Sequence, residues 1–319
     1  MVPACAADEK GAEAGRGLYT AAPVIYLVDA SVFVFRAYYS MLPDMTDRDG
    51  NPAHAVFGFA RFLGDLIERV RPRYIAVAFD HSLQSCFRSR IFPAYKANRE
   101  PAPADLSLQF RRCFELCELL GVPAFGSPEY EADDIIGSIA CLMRREGVRS
   151  TLVTRDKDLA QLVREGDVFW DWSAREQFRY QDIAVRFGVP PERFADYLAL
   201  TGDAVDNIPG VPGIGPKTAA ALMREFASLE ELYDGLDRIP RLGLRGGASL
   251  PAKLREHREL AFLSRQLTSI FCDVPLGLDG TALRRRRPDV GALAEFFDHH
   301  RFGPLLRRQT ERLAQLPLE

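Results

Sequence analysis

The sequence predicts an α/β protein, with a central, mainly parallel sheet flanked by helices. Three short apolar runs, VIYLVD, YIAVAFD and TLVTRD, are rich in β-branched or aromatic residues and end on Asp29, Asp80 and Asp156. Helical patterns over residues 53–70, 105–120 and 131–146 separate them. Alternating strands and helices favour a parallel sheet covered on both faces. Ligands of such sheets bind beyond the carboxyl ends of the strands. Three strands that each end in Asp therefore predict three carboxylates along one sheet edge. One such Asp would be an ordinary turn or cap residue; three point to a site.

The chain of 319 residues is long enough for one large or two modest domains. Its composition supports a core without disulfide staples. No run approaches the roughly 20 apolar residues that a membrane span needs, so no membrane role is expected. Residues 1–22 are read as a disordered leader, because they carry charge and lack the apolar run of a signal peptide. The six cysteines include no C-x-x-C pair; Cys113 and Cys117 should share a buried helix face, and the set reads as reduced thiols of a cytoplasmic protein. The five histidines lack metal-ligand spacing, and His299–His300 reads as a solvated helix end rather than a zinc site.

Residues 81–104 interrupt the alternation. This stretch is basic, aromatic and Pro-rich at its end, and a connection of that length inside an α/β unit is usually functional or disordered. From about residue 190 the pattern turns helical, so the expected division is an α/β unit over 23–190 and a helical region over 191–319, its last helices packing back on the core. The run Arg284–Arg287 reads as a solvated basic stretch.

Acids recur at element starts. EADD supplies Glu131, Asp133 and Asp134, RDKD adds Asp158 to Asp156, and GDAVDN supplies Asp203 and Asp206. Each motif alone could be helix capping or a turn. On a regular helix Glu131 and Asp134 share a face and Asp133 points elsewhere, so all three serve one site only if Glu131 precedes the first turn or the metals spread sideways. Clustered carboxylates repel and need neutralisation, and hard cations such as Mg²⁺ or Mn²⁺ suit oxygen ligands. Two such ions, typically ~4 Å apart, can activate a water and stabilise a leaving oxygen in phosphodiester hydrolysis. No His- or Cys-rich cluster suggests zinc. The net charge of −3 is then no obstacle to binding nucleic acid: taking nine metal-held carboxylates away from −3 leaves +6 on the rest of the chain.

These motifs resemble one family, the 5′ nuclease domain of bacterial DNA polymerase I and the related flap endonucleases. LVDAS (27–31), FPAYKANRE (92–100), EYEADDIIGSIA (129–140), VTRDKDLAQLV (153–163) and LTGDAVDNIPGVPGIGPKTAAAL (200–222) carry the match in order and spacing. The resemblance implies a PIN-like core with two metal sites for Mg²⁺ or Mn²⁺. Asp29, Asp80, Glu131, Asp133, Asp134, Asp156 and Asp158 would face the first, and Asp203 and Asp206 the second. It makes residues 81–104 a helical arch over the 5′ strand, with Tyr95, Lys96 and Arg99 in its core. Lys96 and Arg99, with Asp133 and Asp134, form the expected catalytic set. Arg36, Arg88 and Phe35 join the expected DNA contacts; Phe35 stands where the family often has Tyr, and the arch is one residue longer than usual between Asp80 and Arg88.

The segment GVPGIGPK is not a phosphate loop of the Walker type, because Pro216 separates Lys217 from the glycine and no strand precedes it. It resembles the turn of the family's helix–three-turn–helix motif. Gly210, Gly213, Gly215 and Lys217 would there grip duplex phosphates without reading sequence, and the 210–215 turn would bind K⁺ through carbonyls. The implied activity is cleavage of DNA near a free 5′ end by a monomer, with a DNA polymerase as partner. The rival readings are a non-catalytic structure-specific DNA-binding protein and a related metal-dependent ribonuclease.

Overall fold

The structure, a computed structural model, describes residues 22–80 and 86–318. The expected leader up to residue 21 and arch residues 81–85 lie outside it. Six strands form one sheet: β1 (Val24–Asp29), β2 (Tyr74–Asp80), β3 (Ala124–Ser127), β4 (Arg149–Val153), β5 (Val168–Asp171) and β6 (Glu176–Arg179). Their order is β3-β2-β1-β4-β5-β6; all neighbours are parallel except the antiparallel pair β5–β6. The strand order reverses direction between β1 and β4, the place where open α/β sheets leave a crevice. Asp29 ends β1 at that point, with Asp80 on one side and the segment after β4 on the other.

Side chains alternate between two cores, as the period of two requires. Ile25, Leu27, Ala76, Ala78 and Leu152 face the helix Ala132–Arg145 and the helical region. Val28, Ile75, Val77, Phe79 and Val153 face the opposite core, built with the helices Ala30–Ser40, His54–Val70 and Ala104–Leu119. Cys113 and Cys117 lie buried on one face of the last of these, as their spacing requires.

Two local expectations need revision. The third acidic run leaves the strand at Val153, three residues before Asp156, because Asp156 caps the following turn and accepts the Asp158 N–H at 2.9 Å. The run Arg284–Arg287 is not simply solvated. Arg285 is buried and donates to the carbonyls of Pro72 and Pro317, and Arg287 donates to that of Ala314. These bonds strap the C-terminal helices Val290–His299 and Pro304–Gln315 onto the first α/β layer.

Candidate active site

The carboxyl ends of the strands form an acidic trough. Thr154 donates to Asp29 at 2.9 Å, and Ser31 donates to Asp80 at 2.6 Å. The other Asp80 oxygen accepts the N–H of Ala132 at 2.9 Å, so the start of the helix Ala132–Arg145 turns its positive end toward the site. Asp133, in that first turn, is half-buried and electrostatically close to Asp156, Asp29 and Asp80. Asp158 interacts with Asp156, Asp203 and Asp206, so Asp156 stands between two groups of acids. Asp158 thus adjoins Asp156 of the first group and both acids of the second.

The protein's own cations serve only part of this trough. Lys157 pairs with Asp203 at 2.6 Å, Arg99 with Asp206, and Lys96 with both Glu131 and Asp206. Among the described residues, Asp29, Asp80, Asp133, Asp156 and Asp158 have no salt-bridge partner within 4 Å. Burial, then the carboxylates of Asp80 and Asp156, push Asp29 up to about 7. Asp133 is raised well above the usual carboxylate range by burial and by Asp156, Asp29 and Asp80. Burial and Asp156 raise Asp158 to about 8, against the opposing pull of Lys157. Asp156 reaches solvent yet is recessed enough for desolvation to raise it as well. Burial alone would raise Asp203, but Lys157 and the N–H groups of Val205 and Asp206 hold it low.

This donor set fits divalent cations. All ligand atoms are oxygen, five acids have no salt-bridge partner among the described residues, and one buried oxygen of Asp158 has no hydrogen-bond partner. Hard ions that keep some of their water suit a trough of this kind.

A pH dependence follows. A carboxyl group whose folded pKa is raised holds a proton that the unfolded chain releases near pH 4. Between about pH 4 and pH 8 the unfolded state therefore binds fewer protons, and stability falls as pH rises. In chelator, the Tm is expected to drop across this window, and Mn²⁺ should restore most of the loss at its upper end. A Tm that does not respond to Mn²⁺ at pH 8 would contradict the metal reading.

Arg88 and Asp134 do not stand where the sequence reading put them. Arg88 is 3% exposed and Asp134 0% exposed. They form a bidentate pair with both N···O distances at 2.7 Å. Arg88 also donates to Glu131 at 3.0 Å and to the carbonyls of Leu267 and Ser269 at 2.9 Å. Asp134 accepts the N–H of Phe271 at 2.8 Å and that of Glu131 at 3.1 Å. Every charged atom of the pair is thus committed inside the protein. Arg88 is turned into the protein interior, and Asp134 away from the trough. Glu131 precedes the first turn, and its carboxylate is held low by Lys96 and Arg88 despite burial.

Tyr95 is likewise buried, donating to Glu131 at 2.9 Å and lying 5.0 Å beneath the Lys96 ammonium. It packs the arch and offers no open face for a base. Lys96 has a left-handed backbone, φ 54°, and its N–H donates to the Asp206 carbonyl. Asn98 donates to the carbonyl of Ala204, and Asn207 to that of Ala94, so the arch is tied to the acidic 203–207 turn.

Beside the trough lies a cavity of about 650 Å³. Lys96, Arg99 and Arg111 supply its positive charge, Asp80 and Glu100 its negative charge, and Phe35 and Phe110 part of its apolar wall. Phe35 is half-buried, with Phe110 edge-on at 5.3 Å, whereas Arg36 is exposed. Sequence reasoning missed Arg111, which carries no motif, and Lys157, which lies between two acids that were singled out.

In the glycine-rich turn the residues divide. Gly210, with φ 64°, backs onto Gly202, and a Cβ there would collide with the backbone of Thr201 and Gly202. Its N–H donates to Ser264 at 3.1 Å, so it packs the hairpin and has no N–H left for a phosphate. Gly213, Gly215 and Lys217 are exposed at the start of the helix Pro216–Glu225. A Cβ on Gly213 would meet the Lys253 ammonium, a second cation at this turn that no motif announced.

The profile of the 5'-3' exonuclease N-terminal resolvase-like domain matches residues 24–188, and that of the 5'-3' exonuclease C-terminal SAM fold matches residues 189–291. The 5'-3' exonuclease of Aquifex aeolicus is 33% identical over 283 residues, a match covering 89% of this chain and 94% of that protein. DNA polymerase I of Rhizobium leguminosarum is 37% identical over 294 residues, covering 90% of this chain but only 28% of the polymerase. The fold is similar to that of T5 5'-exonuclease with bound divalent metal ions (zinc), at TM-score 0.63 and 23% identity over 93% of this chain and 100% of that one. It is also similar to the catalytic core of Rad2 in complex with DNA substrate, at TM-score 0.58 and 18% identity over 92% and 91%. The chain belongs to the 5'-3' exonuclease family.

Proposed function

We propose that this chain is a structure-specific 5′ nuclease that cuts DNA, and RNA primers joined to it, near a free 5′ end. The observation that carries this reading is the juxtaposition of five acids that have no salt-bridge partner among the described residues with a cavity that Lys96, Arg99 and Arg111 line. Asp29, Asp80, Asp133 and Asp156 would hold one Mg²⁺ or Mn²⁺, and Asp158, Asp203 and Asp206 a second. Bound there, the two ions would supply the activated water and the charge that stabilises the leaving oxygen.

The chain's own side chains do the positioning. Phe35 offers an aromatic face to a base in the cavity, and Arg36 and Arg111 offer charge to the backbone. Lys96 and Arg99 lie at the junction of cavity and trough, where a phosphate entering would compete with Glu131 and Asp206 for them. Gly213, Gly215, Lys217 and Lys253 form a sequence-independent grip on the downstream duplex, with K⁺ held by carbonyls of the 210–215 turn. The proposed setting is a monomer in the bacterial cytoplasm, acting beside a DNA polymerase.

The arch gives the most specific test. A bulky block on the 5′ end of a flap is expected to reduce cutting by at least tenfold while leaving duplex binding unchanged. Equal cutting of blocked and free ends would remove the role given to the cavity and arch, and leave the acidic trough standing.

A further inference from the structure

A second group of metal-ligating side chains lies outside the trough and shares no residue with it. Among the described residues, Asp47, His299 and His300 are the one set of three or more His, Cys, Asp or Glu whose ligand atoms all lie within 4.8 Å of one another. The nuclease acids, spread along the trough, do not close on a point in this way. His299 ends the helix Val290–His299, and Asp47 lies in the turn between the first two helices. The Arg48 N–H donates to the His299 carbonyl at 2.8 Å, which fixes the turn against the helix end.

The expectation of a solvated helix end fails here. His300 is 3% exposed and Asp47 2% exposed. The ring of His300 packs on Phe296, with centroids 4.1 Å apart. Its Nδ1 lies 2.7 Å from the Phe296 carbonyl, an acceptor only, so Nδ1 carries the proton and Nε2 keeps its lone pair. That Nε2 is buried and has no hydrogen-bond partner, and the same is true of Nε2 of His299. A metal-binding histidine is commonly oriented in this way, by a carbonyl on its other nitrogen.

Asp47 is oriented as well. One of its oxygens accepts the N–H groups of Asp49 at 2.9 Å and Asn51 at 2.8 Å; the other accepts the Asn51 side-chain amide at 3.1 Å and faces His299 at 3.6 Å. Asp49 also lies 3.6 Å from His299. An ion pair with these acids accounts for His299 alone. It leaves the buried lone pair of His300 unexplained.

We infer that Asp47, His299 and His300 form a binding site for a borderline transition-metal ion of the Zn²⁺ class, with Asp49 or water as fourth ligand. Two imidazoles and one carboxylate are a set that zinc takes and magnesium avoids. Tetrahedral bonds of about 2.1 Å place ligand atoms roughly 3.4 Å apart, so a trio lying within 4.8 Å must draw in by up to about 1.4 Å, which the half-exposed His299 can supply. The ion would clip the turn after the first helix to the C-terminal helices, joining parts of the chain that are distant in sequence.

The test uses the full chain, stripped with chelator and then held in excess Mg²⁺ to occupy the carboxylate trough. Co²⁺ serves as the spectroscopic probe and Zn²⁺ as the ligand. One equivalent of Co²⁺ with the intense visible absorption of a tetrahedral nitrogen-bearing site is expected, together with a Zn²⁺-dependent rise in Tm. Both should be lost in His299→Ala, whose partly exposed position spares the fold, with Zn²⁺ affinity falling at least ~100-fold. His300→Gln should lose both, and Asp133→Asn should keep both. Equal Co²⁺ spectra for wild type and His299→Ala, or a band that disappears in Asp133→Asn, would overturn the inference. So would the weak spectrum of an octahedral oxygen site alone, which would leave water as the partner of the histidines.

Discussion

Asp134→Ala is expected to cost about 3–5 kcal/mol of folding stability, because it strands the buried Arg88 guanidinium without its bidentate partner. It also removes the acceptor for the Phe271 N–H. The pair joins three places: the start of the arch, the start of the helix Ala132–Arg145 and the segment 267–271 at the end of the helix Arg258–Thr268. Its loss should loosen the arch before it touches the chemistry. Urea denaturation of wild type and variant in chelator measures the effect. Replacing both partners by apolar residues, as in Arg88→Met with Asp134→Leu, should recover most of the loss, since no buried charge then remains unpaired. If Asp134→Ala stays within about 1 kcal/mol of wild type and yet fails to cut, Asp134 belongs to the metal site after all.

Asp133→Asn should do the reverse. Asp133 is crowded by Asp156, Asp29 and Asp80 and makes no salt bridge among the described residues, and Lys96 offsets only part of their repulsion, so its charge is a burden on the metal-free fold. The neutral, nearly isosteric amide should raise stability in chelator and shrink the stabilisation gained from Mn²⁺. Cleavage should fall on the order of 10³-fold, the scale of several kcal/mol of lost transition-state stabilisation, while flap binding persists. Lower stability in chelator, or cleavage within tenfold of wild type, would contradict the place given to Asp133. Two adjacent acids, one structural and one facing the metals, should thus separate cleanly in paired measurements.

The contrast also marks what the sequence made legible. Strands that end in Asp could be read directly, because parallel strands run out at one edge and the apolar runs were unambiguous. Helical spacing showed that Glu131, Asp133 and Asp134 cannot all point one way. It could not show which acid turns inward, because that depends on Arg88 and on Phe271, far along the chain. The inward turn of Tyr95 and Gly210 was hidden for the same reason: their partners, Glu131 and Ser264, lie on other elements. The short strands β3, β5 and β6 lack the apolar runs of the first two and are defined by their neighbours. The leaning of Asp158 toward Asp203 and Asp206 is likewise tertiary. His300 carried no signal at all, since its burial comes from Phe296 and Phe302 and its approach to Asp47 comes from the returning C-terminal helix.

The activity assigned to this acidic trough is divalent-metal cleavage of DNA near a free 5′ end. Single-turnover cleavage of a 5′-labelled flap across a Mg²⁺ titration tests it most directly, with flap binding measured in parallel. A short 5′-labelled product is expected that appears only with Mg²⁺ and disappears in Asp133→Asn without loss of binding. Tight flap binding with no product at any Mg²⁺ concentration, or product that persists in chelator, would contradict it.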